Sequence, residues 1–254
     1  MAKTKAKRPR LTFTVGIVLY PDFDLLDVAG PYDVFNLFDG TVIDREVQVV
    51  TIAAEKAAVV SSGGLAVTPS HDFRSAPPID LLFVPGAGSG ITATIGDDRF
   101  LDFLRRAASR SRYVTSVCTG ALLLAAAGLL DGFQATTHWS CIDCLKLFKK
   151  VEVVNGCPRY VRDRNRFTGG GISSTIDEAL FMVEAIVTDM TGSADQGAQA
   201  TKRTQLSIQY NPQPPYPGGD PCSVDYAVYA PVAAAMRSFR DAVCQAVIKR
   251  IGAR

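Results

Sequence analysis

Two residues carry the chemistry this chain can be expected to do: Cys118 and Asp27. The cysteine ends the β-branched run Val114 to Val117 and is followed at once by Thr119, Gly120 and a helix-forming series of Ala and Leu that closes at Gly128. Strand, sharp turn and helix predict that residue 118 is forced into sparsely populated backbone space, with its side chain pointing out of the sheet. A sulfur there lies over a helix N-terminus, whose unpaired N–H groups favour negative charge and draw a thiol pKa down from about 8.5. Gly120 keeps the wall behind it small. The alternative is a cysteine buried as a small apolar residue.

Asp27 stands in PDFDLLDVAGP, just after the apolar strand expected over Leu11 to Tyr20. That is the carboxyl edge at which open α/β sheets hold their ligands. On its own, such a carboxylate is more often a helix-start residue than a catalyst. Beside a thiolate in a partly dry pocket, its pKa should rise through burial and like charge, which suits a group that both gives and takes a proton near neutral pH. The strand Asp80 to Val84 ends in Pro85-Gly86-Ala87-Gly88-Ser89-Gly90. Ile91 stands where a dinucleotide fingerprint needs its third glycine, so the loop is read as bare N–H groups of Gly86 and Ala87 forming an anion-stabilising rim, with a simple tight turn as the alternative.

His138 lies twenty residues beyond the cysteine and either orients the thiol or is satisfied within the strand-to-helix junction. With Cys141 and Cys144 it forms H-x-x-C-x-x-C, half of a zinc pattern whose second half does not follow, so no metal is expected. Trp139 and Ile91 are candidates to shape a substrate pocket. Asp177, in the helix expected over Ile172 to Asp189, is read as facing solvent.

The elements that position these groups alternate. Strands are expected at Glu46 to Ile52, within Gln134 to His138, and near Val151 to Val154, Arg159 to Arg162 and Arg166 to Thr168. A ribbon is expected over Val59 to Pro69. Helices are expected at Asp97 to Arg110, Trp139 to Lys149 and Val224 to Ile251. Such alternation implies a mainly parallel sheet between helical layers.

The 254 residues suit a single domain over 11–254, with a helical extension from about 222. The composition, 47% hydrophobic and 20% charged, speaks against disorder, and the longest apolar run, Ala121 to Leu130, is too short for a bilayer. Five of the 27 basic residues fall within the first ten, read as a disordered tail; the body then carries 22 basic against 25 acidic residues and no basic face for nucleic acid. With no apolar signal core, the six cysteines are expected to be reduced thiols in a cytoplasmic protein.

The segments VLYPDFDLLDVAGPYDVF, LLFVPGAGSG, RYVTSVCTGALLLAAAGLLDG, ATTHW, FTGGGISSTID and QLSIQYNPQPP together resemble the ThiJ/PfpI superfamily and, within it, the isocyanide (isonitrile) hydratases. The resemblance implies a flavodoxin-like three-layer α/β sandwich, a homodimer and no cofactor. It implies Cys118 as nucleophile, Asp27 as the facing acid, Thr119 as the neighbour of the thiol, and an isonitrile as substrate, hydrated to an N-formamide through a thioimidate on sulfur. Thr119 stands where many proteases and glyoxalases of the superfamily carry histidine, and Ala87 stands where the hydratase loop carries glycine. A glyoxalase or deglycase acting on reactive carbonyls, a cysteine redox or stress sensor, and the sensor half of an AraC-type regulator are the rival readings. The last is disfavoured by the roughly 30 residues beyond Pro221, too few for paired helix-turn-helix units.

Overall fold

The structure, a computed structural model, describes residues 11–253. The stretch expected to be a disordered basic tail lies outside the described residues. Strand β1 (Leu11–Val18) leads into α1 (Leu25–Leu37) and β2 (Arg45–Ala53), followed by a two-stranded ribbon, β3 (Val59–Val60) with β4 (Ala66–Val67), and by β5 (His71–Asp72). Strand β6 (Leu81–Val84) then connects through α2 (Gly90–Thr94) and α3 (Asp98–Ala108) to β7 (Tyr113–Val117), which turns directly into α4 (Gly120–Ala126). Beyond it come β8 (Gln134–Ala135), α5 (Ile142–Leu145), β9 (Glu152–Val153), β10 (Tyr160–Asp163) and β11 (Arg166–Gly169). Four helices complete the chain: α6 (Ser174–Thr191), α7 (Ala194–Ser207), α8 (Tyr226–Ala235) and α9 (Arg237–Gly252).

Seven strands form one sheet in the order β10-β11-β7-β6-β1-β2-β5, with every pair parallel except β10 with β11. Because side chains alternate along a strand, Leu81 and Phe83 face the layer of α1 and α6, while Leu82 and Val84 face the layer of α2, α3 and α4. Helix α4 is buried at every position, which explains its unbroken Ala and Leu run: it is apolar all round because it is covered all round. Val243 and Val247 bring α9 onto the same layer. This is the flavodoxin-like α/β sandwich with a mainly parallel sheet. The chain moves outward from β1 through β2 and then reverses to β6 and β7, so the carboxyl ends of β1 and β6 flank a crevice.

The cysteines correct one expectation. Four of the six are bonded in pairs, Cys144 with Cys244 and Cys157 with Cys222, leaving Cys118 and Cys141 as free thiols. The partners are 100 and 65 residues apart, and they meet because the extension around α8 and α9 folds back over the body. No local spacing announces such a bridge. The H-x-x-C-x-x-C run is thereby taken apart. Among the described residues, no helix is long and apolar enough to cross a membrane.

Candidate active site

Cys118 occupies the elbow between β7 and α4 with φ of 53°, left-handed backbone that an L-residue adopts at a cost of about 1–3 kcal/mol. Three contacts hold it there. Its N–H donates to the Gly169 carbonyl at 3.0 Å, and its own carbonyl accepts from Thr137 Oγ1 at 2.7 Å and from the His138 N–H at 3.3 Å. Glycine is required on both sides. A Cβ on Gly86 would stand 2.5 Å from Cys118 Cβ, and one on Gly171, itself at φ of 63°, would stand 2.9 Å from Cys118 Cα.

Two loops at the carboxyl ends of β1 and β6 are stitched together over this elbow. The Asp24 N–H donates to the Gly86 carbonyl at 2.9 Å, and Phe23 pairs with Ala87 as an isolated bridge. The stitching delivers two carboxyls to the sulfur. The Cys118 thiol donates to Asp24 Oδ2 at 3.7 Å, and the acceptor atoms of Asp24 and Asp27 and the Cys118 sulfur all lie within 4.8 Å of one another. Asp27, in the first turn of α1, is wholly buried; its Oδ2 accepts from the Gly86 N–H at 2.9 Å and its Oδ1 from Thr175 Oγ1 at 3.0 Å. The second bond depends on Gly30, which lets α1 approach Ile176 of α6. Asp24 went unnoticed in the sequence, although it shares the same loop, and so did Thr175.

Burial, then the charge of Asp24, pushes the Asp27 carboxyl up to about 7, against the pull of its bonds to Gly86, Thr175 and Cys118. The Asp24 carboxyl is raised as well, chiefly by burial. The thiol departs from expectation. Burial, Asp27 and Asp24 raise its pKa well above the ordinary value, and the Thr119 N–H only partly offsets them, so the resting sulfur is protonated. Helix-terminus stabilisation is outweighed first by burial and then by the two neighbouring carboxyls. Cys118 is 4% exposed, recessed rather than presented.

The glycine-rich loop is corrected too. The Gly86 N–H is taken by Asp27, and the Ala87 N–H by Thr119 Oγ1 at 2.9 Å, while that hydroxyl donates back to the Ala87 carbonyl at 3.2 Å. Neither N–H is free to meet an anion. Thr119 instead locks the loop to the elbow, and its own N–H serves the sulfur.

The sequence pattern of the DJ-1/PfpI family matches residues 14–186, the span that contains both loops, the elbow and the start of α6. The chain belongs to the DJ-1/PfpI family. It is 39% identical over 218 residues to an isonitrile hydratase of Pseudomonas putida, covering 86% of this chain and 87% of that one. A crystal structure of a ThiJ/PfpI family protein from Pseudomonas syringae superposes with a TM-score of 0.79 at 30% identity, covering 93% of this chain and 90% of the other. The family also includes regulators: the HTH-type transcriptional regulator GbdR of Pseudomonas aeruginosa is 31% identical over 67% of this chain, which spans only 46% of that protein.

Within this family member, the remaining candidates fall apart from the thiol. His138 caps the helical turn that follows it; its Nδ1 lies 2.8 Å from Ser140 Oγ, and burial lowers its pKa to about 4, so it is neutral and its ring is engaged with Ser140. Ile91 is fully buried in the apolar layer of α2, α3 and α4 and is not among the residues lining the cleft that holds Trp139. Trp139 does line a cleft, described below. Asp177 bonds Arg159 and the Tyr210 hydroxyl on the surface, whereas its neighbour Glu178 is buried. The trio Asp24, Asp27 and Cys118 is also the arrangement closest to a cation site near the elbow, but both Asp27 oxygens are already engaged.

Proposed function

We propose that this protein is an isonitrile hydratase, converting R–N≡C and water to the formamide R–NH–CHO, with Cys118 as nucleophile and Asp27 as its proton carrier. The observation that carries the reading is the thiol and the buried carboxyl sharing one small space before Gly86, where an added Cβ would stand 2.9 Å from both Asp27 Oδ2 and Cys118 Sγ. The terminal carbon of an isonitrile must gain both a nucleophile and a proton. As sulfur bonds to that carbon, the thiol proton passes to the Asp27 carboxylate and from there to the carbon, giving the thioimidate R–N=CH–S. Water then adds to this carbon, deprotonated by Asp27, with the nitrogen taking a proton. The C–S bond breaks, the sulfur recovers its proton, and the formamide leaves. A carboxyl poised at about 7 suits both transfers. No cofactor enters this scheme.

Similarity to the isonitrile hydratase of P. putida supports the reading. So does the recessed sulfur, which a slim linear –N≡C group reaches more readily than a branched carbonyl. The raised thiol pKa and burial speak against a peroxide-sensing thiolate, and the neutral His138, engaged with Ser140, against glyoxalase chemistry that relies on a base beside the sulfur. The test is incubation with cyclohexyl or p-nitrophenyl isocyanide and assay of the formamide, with methylglyoxal as the control carbonyl. Cys118→Ala should abolish turnover and Asp27→Asn should cost about 10²–10⁴-fold. Full activity of either variant, or lactate from methylglyoxal without formamide, refutes the assignment.

We also propose a homodimer, supported by exposed Leu25 and Leu26 at the start of α1 and Ile172 in the loop before α6, which leave apolar surface around the site; light scattering at micromolar concentration tests it. The cytoplasmic location proposed from the sequence has a consequence: at a reducing poise both cysteine pairs stand open. Protein alkylated during lysis would then show six thiols, and finding only two would place it in an oxidising compartment.

A further inference from the structure

A cleft of about 370 Å³ opens beside the elbow, and part of its wall comes from the C-terminal extension, beyond the 14–186 span that the family pattern covers. Its inner end is formed by Thr137 and Gly171, both of which touch Cys118: one bonds its carbonyl, the other packs its bare backbone against the cysteine. Its side is Trp139 and Ile142. Its outer wall is Tyr229 of α8, whose ring lies 5.5 Å from that of Trp139, centroid to centroid, at an interplanar angle of 48°. Cys157 and Cys222 line the same cleft and are bonded to each other in this structure, which ties the extension to the body when the pair is oxidised. The nearby cation, Arg159, is already paired with Asp177, and Asp143 and Asp220 also line the cleft, so among the described residues it offers the aromatic and aliphatic surface of Trp139, Ile142 and Tyr229 beside acidic groups, and no free positive charge for an anionic group.

We propose that this cleft holds the R group of the isonitrile and selects aryl or cyclic apolar substituents, with Tyr229 as a specificity-determining residue supplied by the extension. This rests on the reading of Cys118 as the hydrating nucleophile. The volume is near the lower end for ligand pockets, which run from about 300 Å³ upwards, so it suits a single ring rather than a long chain. Two facing aromatic rings favour a flat apolar guest through offset or edge contacts. An isonitrile carries its reacting carbon straight ahead of R on a linear rod. Cys118 itself is not among the residues that line the cleft, so the rod must pass Gly171, which packs against the cysteine, to reach the sulfur.

Trp139 is the only tryptophan of the chain, so the cleft reports its own occupancy. In Cys118→Ala, titration with phenyl isocyanide, and separately with its product formanilide, should change Trp139 fluorescence saturably, whereas methyl isocyanide at the same concentrations should not. In the intact enzyme, Tyr229→Ala should lower the phenyl-to-methyl ratio of kcat/KM by about tenfold, the scale on which apolar pockets discriminate, and Tyr229→Phe should restore it. Ile142→Phe, which narrows the cleft from the other side, should lower the same ratio without touching the extension. A silent Trp139, or a ratio that stays within about twofold in both Tyr229→Ala and Ile142→Phe, overturns the proposal. If the wild type hydrates neither isonitrile, the hydratase reading fails by itself, and saturable formanilide binding at Trp139 still decides whether the cleft takes a ring.

Discussion

Replacing Glu178 by glutamine should make this protein more stable at neutral pH, and the size of the gain follows from where the carboxyl sits. Glu178 is wholly buried beneath the sheet; its Oε1 accepts from Thr115 Oγ1 at 2.6 Å, and its Oε2 has no partner. Burial raises its pKa from 4.5 to about 8, with Asp27 adding to the rise. In the unfolded chain the group ionises at its ordinary value, so between about pH 4.5 and 8 the folded state keeps a proton that the unfolded state releases. Stability therefore falls as pH rises through that window, at about 1.4 kcal/mol per pH unit, and the loss reaches roughly 3 kcal/mol at pH 7 before levelling off above 8. Glutamine still accepts from Thr115 and has nothing to ionise. Glu178→Gln and wild type should thus melt together near pH 4.5–5 and separate by about 6–12 °C at pH 7, taking roughly 2–4 °C per kcal/mol for a chain of this size. Thermal unfolding followed by circular dichroism at matched ionic strength, from pH 5 to 8.5, measures the difference, and other titrating groups cancel between the two proteins. Parallel curves across that range would show that the carboxyl ionises freely in the fold and would refute the reasoning.

Three further outcomes are expected. The kcat/KM for an isonitrile should rise with pH through an apparent value near 7 as the thiol and carboxyl pair loses its first proton, and Asp27→Asn should remove that limb. In the oxidised protein, thiol titration in denaturant should find two groups, Cys118 and Cys141; reduction should release four more and lower stability by several kcal/mol, since loops of 65 and 100 residues are freed, as urea unfolding with and without dithiothreitol will show. Thr119→Val should cost about 1–3 kcal/mol in urea unfolding, because it leaves the buried Ala87 N–H without an acceptor.

The sheet was readable because β1, β6 and β7 are apolar on both faces, and the elbow because a β-branched run stops at a cysteine beside an Ala and Leu helix. Helix α7 escaped notice: it has little apolar periodicity and docks on α6 through Gly197 and Ala200, small residues whose role is closeness rather than area. Its signals were the left-handed Gly192 that ends α6 and the Ser193 cap that accepts from the Gln196 N–H. The helix expected over Trp139 to Lys149 shrinks to a 3-10 turn and the four residues of α5, and the final helix breaks at Met236. At the site, Cys118 and Asp27 were legible from position along their strands. Glu178 was not weighed, although Thr175, Ala179, Met182 and Ile186 mark the inward stripe of α6 and place residue 178, not 177, on it. The thiol pKa departs from expectation because a dipole is visible in sequence order, whereas the full burial of the sulfur, the larger effect, and the second carboxyl, Asp24, emerge only from packing.

Two acids crowd the sulfur, and among the described residues neither has an ion-pair partner, for the one imidazole at the junction is neutral. An ionised carboxylate within 4.8 Å repels a second negative charge by about 3 kcal/mol at an effective dielectric of 20. If Cys118 is the hydrating nucleophile, its recess is a filter on charge: molecules bearing carboxylate or phosphate near the reacting carbon are disfavoured there relative to small neutral ones.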